Sequence, residues 1–140
     1  MGNRSRQILW LKGDGADGKT TVFRVLYNVL GTCVATIPDV LGGEDSTRFL
    51  AMKAYGHRLV VVSECRNDKL LRYGVVRQLT SGDLVNIEGK GRDGFTAITW
   101  TKLVVCSNDR PDISSGTADQ SRAVVIEVAK SSKTDDAGWA

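Results

Sequence analysis

A glycine-rich segment near the start of the chain limits its possible folds more than any other feature. Residues 13–20 read Gly-Asp-Gly-Ala-Asp-Gly-Lys-Thr and match the pattern G-x-x-x-x-G-K-(S/T). An apolar run at residues 7–12 precedes the segment, and apolar side chains recur at helical spacing through residues 20–30 until Gly31. The sequence therefore predicts a strand, a loop and a helix in the order that a phosphate-binding loop requires.

The residue types in this segment are suited to holding phosphate. Small residues let backbone N–H groups curl around an anion, and the helix N-terminus adds a partial positive charge. Lys19 would reach the β- and γ-phosphates of a nucleotide, and Thr20 would bind Mg²⁺. A chance glycine turn with an exposed lysine would not explain the complete motif in this context. The predicted nucleotide-binding residues are Gly13, Gly15, Ala16, Asp17, Gly18, Lys19, Thr20 and Thr21.

The rest of the chain predicts an α/β fold. Branched apolar runs typical of strands covered on both faces in a parallel sheet occur at residues 34–37, 58–63, 101–107 and 123–128. Helical periodicity predicts helices at 49–54 and 68–79. Two alternating segments, 84–88 and 95–100, predict a β-hairpin around a glycine-rich, basic tip. We therefore expect a five-stranded parallel sheet between helices, with an inserted hairpin.

Length and composition are those of one folded domain. The chain has 140 residues, of which 41% are hydrophobic and 25% are charged. We expect the domain to span residues 1–130 and the polar tail, residues 131–140, to be unstructured. Basic residues exceed acidic ones by 19 − 16 = 3, which permits a polyanionic partner without requiring one. No apolar run approaches the roughly 18 residues of a membrane helix, and no secretion signal is recognisable, so we expect a cytoplasmic protein.

The three cysteines do not suggest a metal site or a disulfide framework. Cys33, Cys65 and Cys106 are far apart in the sequence and lack C-x-x-C spacing. This distribution predicts reduced, mostly buried thiols.

Two polar residues stand at predicted strand ends, where nucleotide chemistry needs them. Glu64 comes directly after the strand at 58–63, where a carboxylate could polarise an attacking water and assist Thr20 at Mg²⁺. Asn108 follows the strand at 101–107, where its amide could donate to a γ-phosphate. The alternatives are a solvated charge for Glu64 and a turn-opening asparagine for Asn108.

Three basic residues are further candidates. Arg122 comes just before the last predicted strand and, on local grounds, is only a surface arginine. Lys90 and Arg92 lie in the hairpin tip, where they could contact the phosphates of a polynucleotide. A solubilising basic turn is the commoner reason for such residues.

Four segments, taken together, resemble a known family. They are Gly-Ala-Asp-Gly-Lys-Thr-Thr at 15–21, Gly-His-Arg-Leu-Val-Val-Val-Ser-Glu at 56–64, Leu-Thr-Ser-Gly-Asp at 79–83 and Lys-Leu-Val-Val-Cys-Ser-Asn at 102–108. In this order and spacing they resemble superfamily 3 helicases, specifically the ATPase core of phage and viral primase-helicases. The resemblance covers about residues 7–128, which is nearly the whole chain.

The resemblance implies an AAA+-like P-loop fold whose five parallel strands lie in the order fifth, first, fourth, third, second. It implies an ATP- and Mg²⁺-dependent DNA helicase or translocase motor that acts in phage, viral or plasmid DNA replication. Its partners would be single-stranded DNA and further copies of the chain, arranged as a hexameric ring.

The resemblance also implies a role for each candidate residue. Lys19 and Thr20 become the Walker A pair, Glu64 the Walker B glutamate and Asn108 the sensor amide. Arg122 becomes the arginine finger that reaches the γ-phosphate on a neighbouring subunit. By the same resemblance, the hairpin tip with Lys90 becomes the DNA contact in the pore.

Three features depart from the family's pattern. Ser63 stands where an acid often precedes the Walker B glutamate. Ser121 stands where a second arginine often precedes Arg122, so Arg110 is an alternative finger. The loop begins at Gly13, which leaves no room for the helical collar that usually precedes this core, and we therefore expect a fragment or an excised domain.

Two other functions fit part of the sequence. A P-loop kinase acting on a small molecule would need a lid with arginines and an acceptor pocket, and it would not explain the block from residue 79 to residue 108. A nucleotide-binding module without turnover would be consistent with Ser63 in place of an acid.

Overall fold

The computed structural model describes residues 6–37, 44–65, 73–89, 91, 93–109 and 121–129. Its helices and strands follow one another as β1 (Ile8–Lys12), α1 (Lys19–Leu30), a 3-10 turn (Gly31–Cys33), β2 (Val34–Ile37), α2 (Glu44–Gly56), β3 (Leu59–Cys65), α3 (Tyr73–Ser81), β4 (Leu84–Ile87), β5 (Phe95–Ile98), β6 (Lys102–Ser107) and β7 (Ala123–Glu127). The predicted alternation of strands and helices is therefore present. The predicted tail, residues 131–140, and the predicted helix start at residue 68 lie outside the described residues.

Five strands form one parallel sheet in the order β2-β3-β6-β1-β7. Counted along the chain, and leaving out the hairpin strands β4 and β5, this is the order second, third, fourth, first, fifth. It is the expected order read from the opposite edge, so the prediction of a five-stranded parallel sheet is confirmed. Because all five strands run in one direction, their carboxyl ends meet at one edge of the sheet.

Each face of the sheet carries its own apolar cluster, because successive side chains on a strand point to opposite faces. Val60 and Val62 of β3 pack with residues from α2, α3 and β4 on one face. Val61 of β3 packs on the other face, where Phe23 of α1 lies against the cluster. The helices thus cover both faces of the sheet, as expected for a largely parallel sheet.

Helix α1 does not use the apolar stripe that identified it in the sequence. Val22, Val25 and Val29 are exposed, with Val29 reaching 76%. None of the residues of α1, all of which are described, is buried. The half-buried Phe23 lies against the sheet instead, and Phe23 together with the exposed Tyr27 borders a cavity between the helix and the sheet. The periodicity correctly predicted a helix but not the face that is turned to the sheet.

Two predicted boundaries were too short. Helix α2 was predicted at residues 49–54 but runs from Glu44 to Gly56, because the five residues at its start are polar and do not share the apolar periodicity. Strand β3 was predicted to end at Ser63 but continues to Cys65, so Glu64 lies within the strand. The pairing of β3 with β6 shifts register between Val62 and Cys65, which places a β-bulge at the segment that holds Glu64.

The hairpin of β4 and β5 is antiparallel and packs against α2 and α3. Val85 and Ile87 are buried on its inner face, and the rings of Tyr55 and Phe95 meet edge to face at 5.1 Å. Thr99, just after β5, donates a buried hydrogen bond of 2.9 Å to the carbonyl of Leu79 in α3. These contacts fix the base of the hairpin, whereas the tip residues Lys90 and Arg92 lie outside the described residues.

The cysteines differ from the prediction in one respect. Cys106 is buried on β6, as expected, but Cys33 in the 3-10 turn is exposed. The side chain of Cys65 lies outside the described part of the structure. Within the described helices, none is both long and apolar enough to cross a membrane.

Candidate functional site

The loop between β1 and α1 has a backbone shaped to surround an anion. Gly15, Ala16 and Gly18 have positive φ angles of 85°, 51° and 89°. Left-handed residues between right-handed ones turn successive N–H groups into one concavity, which is an anion-binding arrangement. Such a φ is uncommon for alanine, so the surrounding structure must hold Ala16 in place. We call the concave segment of residues 13–19 the cradle.

The first turn of α1 begins directly at the cradle. The helix begins at Lys19 after Gly18, which offers no side-chain cap, and the turn contains no acidic residue. The N-terminal N–H groups of a helix lack partners within it and carry the positive end of its dipole. An anion in the cradle would therefore be stabilised by the helix as well as by the loop.

Lys19 and Asp17 form a charge pair inside the cradle. The Nζ of Lys19 donates a hydrogen bond of 2.8 Å to the carbonyl of Gly13 and a very short one to Oδ2 of Asp17. Oδ1 of Asp17 accepts the backbone N–H of Lys19 at 3.3 Å. The hydrogen bond from the Lys19 side chain lowers the pKa of Asp17, although partial burial opposes the shift. Asp17 was predicted to bind nucleotide, and its carboxylate here contacts the ammonium and the backbone N–H of Lys19.

Residues from β3 and β6 come to the edge of the sheet that carries the cradle. Ser107, the last residue of β6, pairs with Lys12 of β1 on one side and with Cys65 of β3 on the other. The backbone of Glu64 and the exposed Asn108 therefore lie at this edge, as the sequence predicted. The side chain of Glu64 lies outside the described part of the structure.

Ser107 ties the cradle to the turn that carries Asn108. Its carbonyl accepts the N–H of Gly13 at 3.1 Å. Its hydroxyl accepts the indole N–H of Trp10 at 2.6 Å and donates to the carbonyl of Asp109. The position of Asn108 relative to the loop is thus set by a buried polar network, which the sequence did not reveal.

A cavity of about 350 Å³ opens beside the cradle. It is bordered by Lys19 and Thr20, by polar residues of α1 such as Arg24 and Asn28, and by Ser63 of β3. There is consequently room for a ligand next to Lys19 and Thr20. Thr20, predicted to bind Mg²⁺, is exposed at the entrance. Among the described residues, no group of three or more His, Cys, Asp or Glu side chains is placed to hold a metal by itself.

Arg122 lies at the opposite edge of the sheet. Its carbonyl accepts the N–H of Ile8, the first residue of β1. Strand β7 begins at the next residue, Ala123, which pairs with Ile8. The four residue steps of β1 from Ile8 to Lys12 separate the two edges by roughly 13 Å. Arg122 therefore cannot reach the cradle of its own chain along this strand. The alternative finger, Arg110, lies outside the described residues.

Arg122 shares a second pocket with two arginines that the sequence analysis did not single out. This arginine pocket, about 380 Å³, is lined by Arg6, Arg77, Gln78, Ser81, Asp83 and Arg122. Nη1 of Arg122 donates a 2.9 Å hydrogen bond to Ser81 at the end of α3. Asp83 is the one acidic side chain that lines the pocket among the described residues. No local signal marks Arg6 or Arg77, because only the sheet topology brings the three segments together.

Comparisons with known proteins identify a family and a fold. The profile of a protein family described as a family of unknown function, DUF5906, matches residues 11–122. No curated protein matches the chain. Among solved structures, an apo form of the NrS-1 C-terminal region superposes with a TM-score of 0.71 at 15% identity, over 97% of this chain and 32% of that one.

Two further structures extend this likeness. A second apo structure of the NrS-1 C-terminal region gives a TM-score of 0.67 at 15% identity and covers 96% of this chain and 33% of that chain. A structure of JCV helicase gives 0.61 at 18% identity, over 91% of this chain and 37% of the other. The chain thus has the fold found in these proteins and spans about a third of the length of each.

Proposed function

Since the chain belongs to DUF5906, a family of unknown function, we propose from its site that it is the ATP-dependent motor core of a superfamily 3-like DNA helicase or translocase. Such a motor would act in phage, viral or plasmid DNA replication. The observation that carries the proposal is the cradle, which combines a concave backbone, a helix N-terminus and Lys19. The fold shared with JCV helicase supports the same proposed function.

In this proposal the cradle binds the phosphates of ATP. Backbone N–H groups of residues 13–19 and the ammonium of Lys19 neutralise the phosphate charge, as a preorganised set of donors does best. Thr20, at the mouth of the cavity, contributes its hydroxyl to Mg²⁺, with Glu64 nearby on β3. These residues fit the ion through their oxygen atoms, and phosphates and water would complete its coordination.

Hydrolysis would take place at the edge of the sheet where β3 and β6 end. Glu64 would polarise the attacking water as a general base, and the amide of Asn108 would orient it against the γ-phosphate. The polar network of Ser107 supports this role for Asn108, because it holds the turn that carries the amide against the cradle.

The arginine pocket would receive a phosphate from outside its own subunit. Among the residues that the structure describes, three arginines and a single carboxylate line this pocket, so an anion would relieve the excess of positive charge. The cradle and the pocket lie at opposite edges of the sheet, so copies that associate head to tail would bring one copy's pocket to the next copy's nucleotide. Arg122 would then act in trans, with Arg6 and Arg77 beside it, in an oligomer such as a hexameric ring.

The hairpin would couple hydrolysis to movement along single-stranded DNA. Its base is fixed on α2 and α3, as described above, and would anchor the tip that contains Lys90 and Arg92. Cations at such a tip would bind backbone phosphates regardless of base sequence.

A small-molecule kinase is the second candidate, because the cavity beside Lys19 and Ser63 could admit a phosphate acceptor. A nucleotide-binding module without turnover is the third. One assay separates the three, namely the rate of phosphate release from ATP and Mg²⁺ with and without single-stranded DNA.

We expect ATP turnover that single-stranded DNA accelerates. A kinase would show turnover that depends on an acceptor and not on DNA, and a static module would bind ATP without releasing phosphate. Protein that is folded and oligomeric but hydrolyses no ATP, with DNA or without it, would overturn the proposed motor function.

A further inference from the structure

Asp17 makes two of the contacts that a bound phosphate would make in the cradle. One of its carboxylate oxygens contacts the ammonium of Lys19, and the other accepts the first backbone N–H of α1. A phosphate at a helix N-terminus uses the same two donors, an N–H group and a nearby cation. The side chain is also well enclosed, since only 3% of the Asp17 side chain and 11% of the Lys19 side chain are exposed.

Gly13 provides the space for this carboxylate. A Cβ atom built on Gly13 would lie 1.8 Å from Oδ2 of Asp17 and 2.8 Å from Nζ of Lys19. The carboxylate therefore rests directly against the backbone of the cradle. Asp14, three residues earlier than Asp17 in the same loop, is by contrast exposed.

We infer that Asp17 is an internal counter-anion that occupies the phosphate position until nucleotide displaces it, and that it thereby sets the affinity of the cradle for nucleotide. This inference rests on the proposed function, because it presupposes that the cradle binds nucleotide phosphates. Asp17 is in this view not a ligand of the nucleotide but its competitor.

The physical effect is that of a binding-competent state that is only partly populated. When a fraction f of the molecules has a free cradle, the apparent dissociation constant equals the intrinsic constant divided by f. A free cradle requires that the charge-assisted hydrogen bond between two enclosed groups be broken, and the free-energy cost of breaking it makes f small. After displacement, the carboxylate stays near the phosphates as a like charge, which weakens binding further.

The test compares ATP affinity, by isothermal titration calorimetry with Mg²⁺, among the wild type, Asp17→Asn and Asp14→Asn. Asp17→Asn keeps the shape of the side chain but removes its charge, and we expect ATP to bind about tenfold or more tightly, the order of one hydrogen bond to a charged group. Asp14→Asn removes the same charge from the same loop at an exposed side chain, and Asp14 contributes only its backbone to the cradle, so the affinity should change by less than about threefold.

A second measurement tests the pair without nucleotide. Acetylation of Lys19 by an N-hydroxysuccinimide ester, followed by peptide mass spectrometry, should be slow in the wild type and at least several-fold faster in Asp17→Asn. Lys12 serves as the internal reference, because its ion pair with Glu127 is unaffected by the substitution.

These outcomes separate the inference from the proposed function. If the wild type and Asp17→Asn both bind ATP and the variant binds no more tightly, the inference is wrong and the proposed function stands. Equal acetylation of Lys19 in both proteins would likewise overturn the inference. If Lys19 becomes reactive in Asp17→Asn but no variant binds ATP, the proposed function fails and the effect on nucleotide affinity fails with it.

Discussion

At the scale of single residues, the charge pair in the cradle influences a thiol on the neighbouring strand. Cys106 of β6 lines the cavity beside Lys19. Burial raises the pKa of the Cys106 thiol to about 11, while the charge of Lys19 acts to lower it and that of Asp17 to raise it. At neutral pH the thiol is therefore protonated and lacks the thiolate that reacts with electrophiles.

Because Cys106 is buried and Cys33 is exposed, we expect iodoacetamide to alkylate the two cysteines at different rates. With a pKa of about 11, roughly one Cys106 side chain in ten thousand carries a thiolate at pH 7. Peptide mass spectrometry should find the exposed Cys33 alkylated first and Cys106 protected in the folded protein, whereas both should react alike in urea. Equal rates for the two cysteines under native conditions would show that Cys106 is not held in a buried site.

At the scale of strands and helices, the parallel sheet decides which groups can act together. The cradle and Asn108 follow the carboxyl ends of β1 and β6, and Glu64 lies within the last residues of β3. The arginine pocket lies where β1 and β7 begin. A site that needs both the cradle and Arg122 must therefore be built from two copies of the chain. This requirement for two copies follows from the order of the strands and not from any single side chain.

Mixed assemblies test this arrangement. Lys19→Ala removes the phosphate contact of the cradle and Arg122→Ala removes the guanidinium of the pocket, so each variant alone should be inactive. Mixing the two should restore part of the ATP hydrolysis, because some interfaces then pair an intact cradle with an intact pocket. Mixing Lys19→Ala with Glu64→Gln is the matched control, since both lesions lie at the same edge and cannot complement each other. Activity that returns in neither mixture, in protein shown to be oligomeric, would place Arg122 outside the catalytic interface.

The sequence predicted the elements better than their contacts. Continuous apolar runs and the loop motif were sufficient to predict the five parallel strands and the first helix, because buried strands and a loop followed by a helix each leave a direct pattern in the sequence. The face that α1 turns to the sheet was missed, since Phe23 packs there beside a cavity, and apolar periodicity does not reveal a cavity. The pairing of Asp17 with Lys19 was missed because motif matching assigns the loop to a ligand and not to its own side chains.

Long-range sites were the least predictable part. Arg6, Arg77 and Arg122 belong to segments far apart in the chain, and each alone has the appearance of a surface arginine. The parallel register of β1 with β7, together with the position of α3, brings them to one pocket. Such a site becomes visible only when the strand order is known.

At the scale of the whole molecule, the chain has a cradle at one edge and an arginine pocket at the other. A contact between unlike surfaces of identical copies repeats from copy to copy, and it closes into a ring when the rotation allows. The chain spans about a third of the length of the structures that share its fold. The proposed motor function and the inferred role of Asp17 both depend on the proposal that the cradle binds the phosphates of ATP.

The most direct test of this proposal is the equilibrium affinity for ATP and Mg²⁺ of the wild type, Lys19→Ala and Lys12→Ala. Lys19→Ala removes the one side-chain cation in the cradle and with it the ammonium that Asp17 contacts, so we expect binding to weaken by about 100-fold or more. Lys12, at the end of β1, pairs with Glu127 outside the cradle, and its removal should leave the affinity nearly unchanged. Binding of ATP by Lys19→Ala as tightly as by the wild type would contradict the account.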